Sequence, residues 1–185
     1  MATWMKRVVG AAKLDVATYE EVEADKSATG QAMLVVVLSA VAAGIGAYEQ
    51  GVRGIAGMAI GALLGWFVWA FLTWFIGTKI LPEPQTKADL GELLRTIGFS
   101  ASPGFLRVLG IVPVLGGLVG IVVAVWMLMS MIVGVRQALD YKGTGRAVLV
   151  CLLGFVVYCG IWIGTALFLG MGAWMLGSIF GRGGN

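Results

Sequence analysis

The sequence predicts an all-α integral membrane protein: a bundle of five transmembrane helices, the third short and Pro-bounded, with an amphipathic cytoplasmic segment ahead of them. Three observations carry that prediction. Of 185 residues, 59% are hydrophobic and 12% charged, where soluble domains carry about a quarter charged. A soluble fold of this size has too much outside for its inside to hide so much apolar surface. The uncharged runs are long enough to cross lipid, and lysines and arginines gather in alternate connections.

Residues 1–13 read as a short amphipathic helix. Trp4, Met5, Val8, Ala11 and Ala12 recur at helical spacing, with Lys6, Arg7 and Lys13 available to anionic headgroups. That is the pattern of an interfacial anchor; the plain alternative is a frayed polar terminus. The first thirty residues mix bases with acids before the apolar run begins, so they are expected to be retained rather than cleaved as a leader. Thr18 and Glu21 stand at capping-box spacing and predict a second short helix, after which Ser27 or Thr29 caps the first span. Residues 1–30 are thus expected to form a cytoplasmic amphipathic and acidic segment, residues 31–180 the membrane domain and residues 181–185 a tail.

The first span is predicted from about Gln31 to Tyr48 and is uncharged from Met33 to Ala47. Glu49 to Arg53 make a short turn, so the second span, about Gly54 to Leu81, must be its antiparallel neighbour. That span carries Gly57, Gly61 and Gly65 at four-residue spacing, which lets helix backbones approach closely in lipid. Gly160 and Gly164 repeat the spacing later, and intramolecular packing is the preferred reading of both faces. Pro82-Glu83-Pro84 stops the second span. Residues 86–97 place Leu90, Leu93, Leu94 and Ile97 on one stripe, predicting a helix lying on the membrane surface. From Ser102 to Leu139 the chain is apolar for longer than one crossing needs, and a break at Pro113 to Gly117 resolves this. The outcome is a short third span (about Pro103–Val112) and a fourth (about Leu118–Leu139). A fifth runs from Ala147 to about Leu169, and residues 170–180 either extend it, form an interfacial tail or turn back as a sixth segment.

With the N-terminus in the cytoplasm, that side collects Lys6, Arg7, Lys13, Lys26, Lys79, Lys87, Arg95, Arg136, Lys142 and Arg146. The other side has only Arg53 and Arg182. The positive-inside rule then orients the chain N-inside, in what is expected to be a prokaryotic plasma membrane.

Chemistry is sparse. The chain has no histidine, which excludes His-based triads, His acid–base work and the common His-containing zinc sites. No contiguous basic face exists for nucleic acid. Cys151 and Cys159 lie roughly 12 Å apart along one helix, too far to bridge. No acid falls inside a predicted span, so ion-coupled transport is not supported. Arg107 is the one ionisable residue at membrane depth. Either it meets an anionic lipid headgroup or partner carboxylate, or it snorkels to the cytoplasmic headgroups from a short span, the preferred reading. Glu20, Glu21, Glu23 and Asp25 form an acidic patch. All-carboxylate helix faces make poor cages for Mg²⁺ or Ca²⁺, so a docking surface is favoured over a metal site. Arg136 and Asp140 are expected to make a local helix pair. No catalytic residue, cofactor or metal is assigned.

Three stretches, in order, resemble prokaryotic members of the Yip (Ypt/Rab-interacting) family. They are Asp25-Lys26-Ser27-Ala28-Thr29-Gly30-Gln31-Ala32, then Ile97-Gly98-Phe99-Ser100-Ala101-Ser102-Pro103, then Arg136-Gln137-Ala138-Leu139-Asp140 with Arg146-Ala147. The likeness covers most of residues 17–170. It implies five spans and a cytoplasmic N-terminal segment. Eukaryotic relatives are associated with vesicle trafficking and GTPase partners, but the aspartate-leucine-tyrosine-glycine-proline motif of those proteins is absent, so a GTPase partner stays open. The expected function is a non-enzymatic scaffold or adaptor in membrane organisation, trafficking or complex assembly, contacting lipids, other membrane proteins or a second copy. The alternative is a small-molecule or lipid transporter or channel.

Overall fold

The structure, a computed structural model, describes residues 2–46, 51–112 and 114–180. Among these all regular structure is helical: α1 (Ala2–Ala12), α2 (Val16–Ala24), α3 (Ala28–Gly46), α4 (Gly51–Phe75) continued by a π-turn (Ile76–Ile80), α5 (Leu90–Ser100), a 3₁₀ segment (Ser102–Ile111), α6 (Gly116–Ala138) and α7 (Thr144–Phe180). Four of these are long and apolar enough to cross a membrane: α3, Ala56–Ile80, α6 and Thr144–Leu169 of α7. The predicted third span is not a helix of that kind but the ten-residue 3₁₀ segment. The predicted turn after the first span and the break at Pro113 fall partly or wholly outside the described residues, as does the tail 181–185. Residues 170–180 continue α7 without a turn.

The N-terminal hairpin is packed onto the bundle. Val8 and Ala11 of α1 are buried with Tyr19 and Val22 of α2, against Ala28, Ala32 and Val35 of α3 and Phe99 of α5. Two backbone bonds close α1, Leu14 N–H to the Ala11 carbonyl and Asp15 N–H to that of Gly10, both 3.0 Å. This is the Schellman pattern, with Leu14 in the left-handed position (φ 62°) that glycine usually takes. The second helix begins three residues earlier than the capping-box spacing predicted. Asp15 is its N-cap, and Thr18, placed inside the first turn, donates its hydroxyl to the Asp15 carboxylate at 2.6 Å.

The largest departure from expectation lies at α5. Residues 86–97 were predicted to lie on the membrane surface, yet Leu93 and every residue from Arg95 to Ser100 are buried. A true capping box starts the helix: Glu92 N–H donates to the Asp89 carboxylate at 2.9 Å, and Asp89 N–H to that of Glu92 at 2.8 Å. Burial is possible because the polar side chains find partners inside. Thr96 donates to the Glu92 carbonyl, Ser100 to the Ile97 carbonyl, and Arg95 to the Val22 carbonyl at 3.0 Å and the Glu23 carbonyl at 2.9 Å. Pro103 then opens the 3₁₀ segment, and α5 with its continuation is about 36 Å long.

Small residues let this composite segment run close beside α3. A Cβ on Gly98 would meet the Ala32 Cβ at 2.7 Å and its backbone at 3.2 Å; one on Gly104 would strike Ser39; Gly110 faces the Gly46 backbone at 3.4–3.7 Å. The α3 positions recur every seven residues and their partners every six. Two turns of α-helix advance about as far as two turns of 3₁₀, so the two rows stay in register. By contrast, a Cβ at Gly57, Gly61, Gly160 or Gly164 meets nothing within 4 Å, and Gly65 faces only the Tyr158 hydroxyl, at 3.4 Å. The intramolecular helix packing expected at the four-residue spacing is therefore not found there within the described residues. It lies between α3 and the segment formed by α5 and the 3₁₀ stretch instead.

The ends of the bundle are set by contacts between loops. In the π-turn, Leu81 N–H reaches back to the Ile76 carbonyl, which frees the Gly77 carbonyl. The Tyr141 hydroxyl lies 3.1 Å from it and 2.7 Å from the Leu81 carbonyl. Thr86 donates to the Leu139 carbonyl, Gln85 to that of Asp140, and Arg146 to that of Pro82. The loops 81–89 and 139–146 therefore share one end, with the N-terminal hairpin beside them. Gly46, Gly110 and Gly116 meet at the other. The Arg136–Asp140 pair is not formed. The helix ends at Ala138, Asp140 takes the left-handed position (φ 53°), and Arg136 Nε donates to the Tyr141 carbonyl at 3.3 Å.

Candidate functional site

Two features stand out, one inside the bundle and one at the hairpin end. The first is a cavity of about 710 Å³ between α3, α4, α5, α6 and α7, its walls mainly apolar: Val36, Ala40, Ala62, Met127, Leu128 and Phe155 among them. Roughly 300–1,000 Å³ is the usual size of a small-molecule site. Trp69 and Tyr158 meet on its wall edge to face, ring centroids 5.7 Å apart, a favoured aromatic geometry. The Trp69 indole N–H is buried without a partner among the described residues, as is the Ser102 hydroxyl. A second cavity of about 450 Å³ adjoins it, lined by Gly46, Gly110, Gly116 and Gly120. Arg107, Ala43 and Met58 line both.

Arg107 was expected to snorkel to the headgroups beside the other cations. The structure puts it at the opposite end. Its backbone packs on Gly46, far from the loops that carry Lys142 and Arg146. Among the described residues Arg107 makes no ion pair or hydrogen bond through its side chain, whereas Arg7 and Arg146 both do. An unpaired cation between two cavities at membrane depth is costly to keep.

The second feature is the charged seam where the hairpin meets the bundle. Arg7, expected at the headgroups, is 7% exposed. It donates to the Glu21 carboxylate at 2.9 Å, the Asp25 carboxylate at 2.8 Å and the Gln31 side chain at 3.1 Å. Hydrogen bonds from the Ser27 hydroxyl and from Arg7 hold the Asp25 carboxyl below its ordinary range. Arg95, 4% exposed, straps the C-terminal end of α2 from the other side. Tyr19 completes the dock, its hydroxyl 2.6 Å from that of Ser130 on α6. Trp126 on α6 donates to the Ala12 carbonyl at 2.7 Å.

The four acids do not form one face. Glu21 and Asp25 turn to Arg7, Glu20 is exposed, and Glu23 is half-buried against Arg95. Burial, reinforced by the nearby Glu92 and Asp140 carboxylates, pushes the Glu23 carboxyl up to about 7. Lys6 is exposed; Trp4 is half-buried, its indole N–H enclosed without a partner among the described residues. No group of three or more Cys, Asp or Glu residues able to hold a metal exists among the described residues. Sequence reasoning missed Arg95 as a strap and the cavity as a whole. The capping box Asp89-x-x-Glu92 starts the helix ahead of Arg95, but that residue falls on the face opposite Leu93 and Ile97, so the apolar stripe did not mark it for burial. No local signal announces the second, which is made by five separate segments.

Long apolar helices, loops interlocked at one end and a buried polar seam define a multi-pass α-helical integral membrane protein. The family model of the Yip1 domain matches residues 16–164, and the chain belongs to that family, a family of membrane proteins. No curated protein matches the chain, and no solved structure does.

Proposed function

We propose that this protein is a non-enzymatic scaffold or adaptor, five-pass and N-inside in a prokaryotic plasma membrane, that presents its hairpin end to a cytoplasmic partner. The observation that supports this most is the rigid seating of α1 and α2. A segment that served only as a tether would not need two buried arginines, Arg7 and Arg95, and a buried Tyr19–Ser130 bond to fix it. A fixed surface costs less ordering on binding than a loose one. Its outward side mixes Met5, Val9 and Val16 with Lys6, Lys13 and Glu20, the composition of an interfacial docking face. In the five-pass reading, α5 and the 3₁₀ segment together make the third crossing, since they run from the loop end to the Gly46 end. The ten cations counted for the cytoplasmic side then lie at or near the hairpin end.

Tagged protein purified in mild detergent is expected to carry a bound chain, identified by mass spectrometry, that is lost on Lys13→Glu with Glu20→Arg. These residues are exposed and outside the Arg7 and Arg95 contacts, so the bundle should be unaffected. Retention of the same chain by the double variant, or recovery of the protein alone, would contradict the adaptor reading.

A further inference from the structure

We propose that the two adjoining cavities form a binding site for one anionic phospholipid of the leaflet opposite the hairpin end, its phosphate at Arg107 and one acyl chain along the apolar cavity. Three observations converge on that occupant. The larger cavity is walled by aliphatic, methionine and aromatic side chains from five segments, a surface that a hydrocarbon chain matches and a polar solute does not. Its extent fits one leaflet. From Met58 to Trp69 along α4 is about 16 Å of helix, half of the roughly 30 Å hydrocarbon core, and Trp69 lies near the middle of the Ala56–Ile80 span. At the outer limit of that length stands Arg107, without a partner among the described residues and shared with the smaller cavity.

Charge decides the headgroup. A guanidinium binds phosphate through paired N–H donors, and a net anionic lipid leaves that attraction unopposed, whereas the choline of a zwitterionic lipid brings its own cation. Gly120, where an added Cβ would meet nothing within 4 Å, leaves the smaller cavity open for the headgroup. The site is independent of the adaptor reading, because none of the residues that line it belongs to the hairpin.

The test uses the intact chain, delipidated in detergent and exposed separately to phosphatidylglycerol, phosphatidylcholine with the same chains, and oleate, with retained molecules counted by native mass spectrometry. Phosphatidylglycerol should be retained about tenfold better than phosphatidylcholine, and better than oleate. Arg107→Gln should remove the preference for the anionic headgroup. Ala62→Phe, which fills the chain cavity from α4, should reduce retention of both phospholipids while leaving Arg107 in place. Equal retention of the two phospholipids by the wild type would overturn the proposal with no variant needed. Oleate retained best would assign the site to free fatty acid instead, and an unchanged preference in a folded Arg107→Gln would remove Arg107 from it.

Discussion

Replacing Gly98 by leucine is expected to destabilise the bundle by about 3 kcal/mol, while the same change at Gly61 leaves it nearly unaffected. At Gly98 even a Cβ would press on the Ala32 Cβ at 2.7 Å and on the Ala32 backbone at 3.2 Å. Neither can yield without moving α3 away from α5. Ala32 itself is fully buried and belongs to the cluster that seats the hairpin, so the wedge would loosen α1 and α2 as well. Gly61 is exposed, with nothing within 4 Å. Thermal unfolding in detergent, followed by helicity and by size-exclusion profile, separates the two variants. Equal losses, or a larger loss at Gly61, would mean that the second span packs where no described residue now stands.

The second large effect is expected at Arg95. Its guanidinium joins α5 to the carbonyls of Val22 and Glu23 at the end of α2. Arg95→Met keeps much of the stem's packing but strips the charged donor from both carbonyls. Hydrogen bonds to a charged group contribute roughly 1.5–3 kcal/mol, so the hairpin should release locally and become cleavable by protease between α2 and α3 while the apolar helices stay protected. Glu23 adds a pH dependence to the same assay. Its folded-state pKa, about 7, lies above the ordinary carboxyl value of 4.5. The folded state therefore holds the proton more tightly, and this contribution to docking is present at low pH and lost as pH rises from about 4.5 through 7. For a half-exposed group the effect is about 1 kcal/mol after solvent screening. Protection of the hairpin should be greater near pH 5.5 than near pH 8, and Glu23→Gln should flatten that difference. Protection that instead rises with pH in the wild type would reverse the assignment.

Much of the fold was legible because lipid imposes one strong rule. Long uncharged segments must be helices, so α3, α4, α6 and α7 could be read within a few residues from hydropathy and proline alone. The segment from α5 through the 3₁₀ stretch was not legible in the same way. It divides between an α5 whose Arg95, Thr96 and Ser100 look like the polar side of a surface helix and a 3₁₀ stretch too short to register as a span. Only the fold shows that those polar groups are satisfied in the interior, Arg95 on α2 and Thr96 and Ser100 on carbonyls of their own helix. The glycine rows misled for a related reason. Four-residue spacing is the signature of two α-helices in contact, whereas the real close approach pairs seven-residue spacing on α3 with six-residue spacing that runs from the end of α5 into the 3₁₀ segment. At the candidate site, the depth of Arg107 made it conspicuous, but its place beside Gly46 was not legible, because a sequence does not say how far along the bundle a short segment carries a residue. The acidic patch was visible as composition, and its division between Arg7 and Arg95 was not.

The claim on which the rest depends is that residues 81–89 and 139–146 lie at one end of the bundle, with the connection after the 3₁₀ segment at the other. Single cysteines at Gln85, Gly143 and Val114, in a chain whose Cys151 and Cys159 are replaced by serine, can be labelled in whole cells with a membrane-impermeant maleimide. Positions 85 and 143 should stay unlabelled until the cells are opened, and position 114 should react from outside. Labelling of 114 and 143 from the same side would contradict the account.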